Sequence, residues 1–336
     1  MLRINEGDYS YASGLIRAKE PKLLGNSHFA RMLDSPAAED AIKVLTEADY
    51  GFGGGNASGI FAFERLLADE MKKCFELLLE LAPKAEVIKA FQRRYDYFNV
   101  KVLLKAEFAG IEIPPILADT GTIAGDDMKR MIRERDYSEF TELMTGAVNE
   151  VYDVFARTKD PQAVDLILDK AFYRQLTADL KAIDSPFLWN IAEMLTDMTN
   201  IKMFVRARSL NKSWDFIKKL LLEDGTISEE VYFKNSDKSV EDFAEDIRKS
   251  KYGEAVKKGL ELVRSGKNSS GLEKMLDDLF IGSIRSAKLV TIGVEPLIAY
   301  LFAKEAEIRN VRMIMTGKIN GLPADMIRER LREVYV

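Results

Sequence analysis

Three segments of this chain align without a gap: Asp96-Tyr97-Phe98-Asn99-Val100-Lys101, Asp197-Met198-Thr199-Asn200-Ile201-Lys202 and Glu307-Ile308-Arg309-Asn310-Val311-Arg312. Each reads acid-x-x-Asn-aliphatic-base, and the match continues through Val102-Leu103-Leu104, Met203-Phe204-Val205 and Met313-Ile314-Met315. A second element recurs upstream, as Phe63-Glu64-Arg65-Leu66-Leu67, Val164-Asp165-Leu166-Ile167-Leu168 and Leu272-Glu273-Lys274-Met275-Leu276. The first two copies stand 101 residues apart at both elements; the second and third stand 108 apart upstream and 110 apart at the asparagines. Spacing kept between two separate elements points to one supersecondary unit used three times.

The unit is helical. Phe63, Leu66, Leu67, Met71, Cys74, Leu78 and Leu81 recur at three- and four-residue intervals, and after Pro83 the pattern resumes with Ile88, Phe91, Tyr95, Phe98 and Val102. Alternating Val/Ile/Thr runs with hairpin turns are nearly absent, so the expected fold class is all-α. Both ends of the Asn-bearing helix are marked. Eleven residues after each asparagine stand Gly110, Asn211 and Gly321, residue types that accept the left-handed conformation closing a helix. Fourteen residues before Asn200 and Asn310 stand Pro186 and Pro296, suited to a first helical turn, and Pro83 lies two positions off that register. Each copy should end in a helix of about 25 residues. The pair Pro114-Pro115 breaks the chain after the first, and the links Asp119-Thr120-Gly121-Thr122-Ile123 and Glu223-Asp224-Gly225-Thr226-Ile227 each open a new copy. The expected units are 1–113, 114–217 and 218–336.

On a helix at about 100° per residue, Tyr97, Val100, Leu103 and Leu104 define an apolar arc. Asp96 falls inside it, with Asn99 on one border and Lys101 on the other. A carboxylate there needs a partner, because desolvating it alone is expensive. The nine residues Asp96, Asn99, Lys101, Asp197, Asn200, Lys202, Glu307, Asn310 and Arg312 therefore read as a polar lock tying each long helix to its neighbour. The other reading is a binding site repeated three times, but catalytic machinery has little use for three near-identical copies.

Candidate chemistry fails on residue supply. One histidine, His28, and one cysteine, Cys74, exclude a zinc site built on Cys and His. Nucleophilic triads would have to run through His28, whose setting after Gly25-Asn26-Ser27 reads as a surface or capping residue. The glycine-rich stretch at 51–55 has no preceding strand and no Gly-Lys-Ser/Thr ending, so it reads as a connection and not a phosphate cradle. A second break in helical texture is Ser265-Gly266-Lys267-Asn268-Ser269-Ser270-Gly271. The acid pairs Asp126-Asp127, Glu229-Glu230 and Asp277-Asp278 are expected near helix starts or on solvated faces. Methionines 194, 198, 203, 313 and 315 read as core, and Lys129-Arg130-Met131-Ile132-Arg133-Glu134-Arg135 as a solvated helix face in preference to a contact patch. No catalytic, cofactor or metal residue is expected.

Forty-nine basic and 54 acidic side chains leave a net charge of −5, which disfavours a nucleic-acid partner. No apolar run approaches the length of a membrane span. The opening Met1-Leu2-Arg3-Ile4-Asn5-Glu6 has no apolar signal core, and a lone cysteine suits a reducing cytoplasm.

Taken together, these residues resemble the C subunit family of the archaeal and bacterial A/V-type rotary ATPases, whose eukaryotic vacuolar counterpart is the d subunit. The resemblance rests on Tyr11-Ala12-Ser13-Gly14-Leu15-Ile16-Arg17-Ala18-Lys19-Glu20 with Leu23-Leu24, and on Val164-Asp165-Leu166-Ile167-Leu168-Asp169-Lys170 before Phe172. The three Asn-centred helices and Gly321-Leu322-Pro323 complete it. It spans essentially the whole chain. It implies a funnel-shaped protein of three similar helical domains with pseudo-threefold symmetry, peripheral on the cytoplasmic face of the membrane. The implied partners are the central-stalk subunits of the soluble ATPase head and the membrane rotor ring. A protein of this kind would bind no nucleotide and catalyse nothing, coupling ATP hydrolysis or synthesis to proton or sodium transport. The competing reading is a helical-repeat adaptor unrelated to rotary motors; an enzyme is a distant third.

Overall fold

The computed structural model describes residues 2–48, 50, 62–114, 116–266 and 270–336, and they are almost wholly helical. The glycine-rich stretch at 51–55, Pro115 and residues 267–269 of the second loop lie outside them. In chain order the helices are α1 (Ser10–Lys19), α2 (Asn26–Asp34), α3 (Ala38–Glu47), α4 (Ala62–Leu81), α5 (Ala85–Ala109), α6 (Gly125–Glu134), α7 (Glu142–Thr158) and α8 (Gln162–Lys181). There follow α9 (Pro186–Ser209), α10 (Trp214–Leu220), α11 (Glu229–Lys234), α12 (Val240–Asp246), α13 (Gly253–Arg264), α14 (Gly271–Ile284), α15 (Glu295–Ile319) and α16 (Ala324–Arg328). Among the described residues the departure from helix into strand is small. Leu2–Arg3 (β1) pairs in parallel with Ile183–Asp184 (β2), Leu2 opposite Ile183.

The Asn-bearing helices are α5, α9 and α15, of 25, 24 and 25 residues. Their ends follow the expected chemistry. Gly110, Asn211 and Gly321 adopt φ of 64°, 50° and 67°, the left-handed region that stops a helix. Pro186 opens α9, and Pro296 sits in the first turn of α15, where a missing N–H leaves no carbonyl unanswered.

The described chain packs as two units. The first comprises Met1–Ile4, Lys84–Met203 and Asp215–Thr226. Its core joins Tyr97, Val100, Leu103 and Leu104 of α5 to Met128, Met131 and Ile132 of α6. Val148 and Val151 of α7 and Val164 and Leu168 of α8 close it. Helix α5 lies chiefly against α8, and α8 against α7. The second unit comprises Asn5–Pro83, Phe204–Trp214 and Ile227–Val336. At its centre α15 is buried on every face along 296–308, with α4, α1, α2, α3 and α14 around it. A helix surrounded in this way has no solvated stripe along that stretch, and its polar residues there, Lys304, Glu305 and Glu307, are buried. Helix α8 packs on α5 within the first unit, and α4 packs on α15 within the second.

Met194, Met198 and Met315 are buried, whereas Met203 and Met313 are half-buried. The basic face of α6 is exposed, and its arginines are answered locally by Asp127, Glu134 and Glu107. Asp126-Asp127 and Glu229-Glu230 occupy first helical turns, as expected. Asp277 corrects the reading of its pair. It lies within α14, 9% exposed, and takes Arg332 at 3.0 Å and Arg309 at 2.8 Å, two guanidinium groups that offset its desolvation.

Candidate functional site

The repeated asparagines are all buried, at 0%, 2% and 0% exposure for Asn99, Asn200 and Asn310. Each performs the same act. Asn99 Nδ2 donates to the carbonyl of Ala118 at 2.8 Å, while the Ala118 N–H donates back to Asn99 Oδ1 at 2.7 Å. Asn200 exchanges the same pair with Leu222 at 3.0 and 2.8 Å, and Asn310 with Arg332 at 3.0 and 2.8 Å. A carboxamide carries one donor edge and one acceptor edge, so it can stand in for a backbone peptide and satisfy both groups of one residue. Each clamp holds an irregular segment that follows the long helix, here called a strap. The asparagines therefore join each long helix to a strap.

The acids hold the same straps one step further along. Asp96 accepts from Thr122 Oγ1 at 2.6 Å and from the Ile123 N–H at 3.1 Å. Asp197 accepts from both Oγ1 and N–H of Thr226, at 2.5 and 2.8 Å. The carboxylates come so close to the straps that a side chain at Gly121 or Gly225 would collide with Asp96 or Asp197. The Gly-Thr of each link is thus the acid's socket. Burial pushes the Asp96 carboxyl up, and the Thr122 hydroxyl, the backbone amides and Arg93 only partly counter it.

Glu307 departs from this pattern. It accepts from the N–H of Leu24 and from Tyr50 Oη, and Lys304 Nζ lies 2.6 Å away. Lys304 also reaches Glu70 at 3.2 Å and lies over the Tyr50 ring. Burial works to lower the Lys304 ammonium, but the Glu307 and Glu70 carboxylates more than reverse it, so it is held protonated. Burial first, and Glu307 second, push the Tyr50 phenol well above its ordinary value. This cluster carries no periodic signal in the sequence.

The bases run along the helix flanks. Lys101 meets Asp169 at 2.6 Å, with Lys105 to Asp165 one turn on, tying α5 to α8. Arg312 grips Glu64 of α4 through Nε and Nη2 at 2.9 to 3.1 Å. Arg206 in the last turns of α9 lies 3.5 Å from Glu273 of α14. Lys202 is half-buried on α9. His28 does cap a helix: its Nδ1 accepts the Gly25 N–H at 3.2 Å. Cys74 is a free, buried thiol that burial pushes up and out of reach of nucleophilic chemistry. What the amides and the Asp carboxylates do chemically is hold backbone.

A family model described as the ATP synthase (C/AC39) subunit matches residues 12–330. The chain belongs to that family. Among curated relatives, the C subunit of the V-type sodium ATPase of Enterococcus hirae is 25% identical over 98% of this chain and 99% of its own length. The C subunit of the A-type ATP synthase of Methanocaldococcus jannaschii is 23% identical over 98% and 87%. That of Pyrococcus abyssi is 25% identical over 97% and 90%. As a C/AC39 protein the chain is a non-catalytic part of a membrane-associated rotary ATPase complex. Among the described residues no helix is long and apolar enough to cross a membrane.

Proposed function

We propose that this C/AC39 protein is the central-stalk piece that receives the rotating stalk of the soluble ATPase head and passes its torque to the membrane rotor ring. The coupled process is ATP hydrolysis or synthesis with proton or sodium transport. The protein would sit peripherally on the cytoplasmic face, its three repeats related by an approximate threefold axis around a concave, funnel-like seat. The observation that carries the reading is the end-to-end similarity to the C subunits of both bacterial V-type and archaeal A-type complexes. The clamps support it on mechanical grounds. A torque-bearing part must not peel at its irregular segments, and each strap is pinned through backbone groups by a buried amide. With a net charge of only −5, attachment would rest on shape and local patches, not on a global field.

Complexes reconstituted without this chain provide the test. The head should still hydrolyse ATP, while ATP-driven ion transport should fail; undiminished pumping would overturn the coupling role. Copurification separates this from a free-standing helical adaptor, which would return without stalk and ring proteins.

A further inference from the structure

The acid at the first and second copies is satisfied by the strap that its own asparagine clamps: Asp96 by 122–123 after Ala118, and Asp197 by Thr226 after Leu222. At the third copy the asparagine still clamps its own strap, at Arg332, but the acid turns elsewhere. Glu307 takes Leu24 and Tyr50, residues 283 and 257 positions away in the chain. The position that is Asp twice is Glu here, one methylene longer, and one turn before it stands a buried lysine, 4% exposed.

The rest of α15 repeats the act. Arg312 holds Glu64 of α4, and Lys304 holds Glu70 of the same helix. Lys318 donates to the carbonyls of Leu33 and Ser35 at 2.9 and 2.5 Å, closing the end of α2. Glu64 is the register equivalent of Asp165, which in the first unit answers Lys105 of α5. A helix of the first copy therefore fills, against α15, the place that a helix of the following copy fills against α5. Tyr335 beyond the Asn310 clamp donates to Glu20, so the third strap and the segment near Leu24 meet.

We infer that Glu307, Lys304 and Tyr50 form a latch by which residues 23–48, a separable segment of two helices (α2 and α3), complete the third copy, and that this segment opens from α15 as one unit when the latch is broken. Local opening proceeds in contiguous cooperative units that often coincide with supersecondary motifs, and two consecutive helices are such a unit. Buried ion pairs contribute little net stability against apolar replacements, but they select register and partner, and stranding one member is costly. The latch then specifies which segment seats on α15, while Phe29, Met32, Leu33, Val44 and Leu45 supply the apolar seat.

The test is residue-resolved amide hydrogen exchange on the full chain. Glu307→Gln should speed exchange at Leu24 and, by the same factor of about ten, through α2 and α3, none of whose amides Glu307 touches. Helix α5 should be unmoved. Acceleration confined to Leu24 would reduce the latch to a single bond and overturn the inference. Equal acceleration in α5 would mean global destabilisation and overturn it too. Should Glu307→Gln fail to fold, Tyr50→Phe, which removes one hydroxyl, is judged on the same pattern at smaller amplitude; no change in α2 and α3 overturns the inference there as well.

Discussion

Replacing Asn200 by alanine isolates the clamp. The side chain makes two hydrogen bonds, both to Leu222, which is 8% exposed. Removing the amide strands one backbone N–H and one C=O together in a place water reaches poorly. Net hydrogen-bond contributions are about 0.5–1.5 kcal/mol each, and an unsatisfied buried group costs about 1–3 kcal/mol. Two such groups bound the loss at about 2–6 kcal/mol, the lower figure applying if the strap relaxes outward to water. Asn99→Ala should cost less, about 1–2 kcal/mol, because Ala118 is only half-buried and its neighbour Ile116 is 54% exposed. The ordering is the sharper statement. Urea denaturation would give the midpoints, and exchange at the Leu222 amide the local reading, since a chain of this size need not unfold in one step. An Asn200→Ala variant with an unchanged midpoint and unchanged Leu222 protection would refute the clamp. Equal losses at Asn99 and Asn200 would refute the burial argument.

Two further outcomes follow from the acid sockets. Gly225→Ala should displace Asp197 from Thr226 and destabilise by about 1–3 kcal/mol, but should add little to an Asp197→Ala background; additive losses in that cycle would show that the carboxylate is not what the new methyl meets. Asp96 is raised by burial, so the folded state binds its proton more tightly than the unfolded state. Stability from this group therefore rises as pH falls from neutral through its raised value toward about 4, and wild type should gain on Asp96→Asn over that range. Wild type losing stability relative to Asp96→Asn on acidification, read by urea midpoints across pH, would contradict the assignment.

The helices were legible because helix ends and apolar spacing are local. Gly110, Asn211 and Gly321 mark their ends by residue type, and backbone geometry follows residue type closely there. What the asparagines hold was not legible, for a physical reason. Their partners are the backbone groups of Ala118, Leu222 and Arg332, and every residue but proline offers the same N–H and C=O, so side-chain identity carries no trace of the contact. The acids left a faint trace in the shared Gly-Thr-Ile of 121–123 and 225–227, readable as a link but not as a socket. The Glu307 cluster left none, because Leu24, Tyr50, Glu70 and Lys304 come from separate stretches of chain. The β1–β2 pair, two residues a side, is too short to alternate.

The three kinds of motif residue also differ in how freely they vary, and the structure accounts for the difference. Asparagine is the same in all three copies because no other side chain of its length presents a donor and an acceptor on one rigid plane. The acid is Asp at the two positions that meet a neighbouring strap and Glu at the one that meets a segment remote in the chain. The base varies most, Lys101 reaching Asp169 and Arg312 reaching Glu64, which is one turn away from the position equivalent to Asp169. These last pairs are substantially solvent-exposed, where an ion pair contributes only about 0–1 kcal/mol and tolerates a change of partner. Exposure accounts for part of this: amide and acid are both buried, and the wetted base varies most. The straps at Ala118–Ile123 and Leu222–Thr226 are fixed by amide and acid together and that at Arg332 by its amide, while the pairing of long helix with upstream helix is only steered by the base.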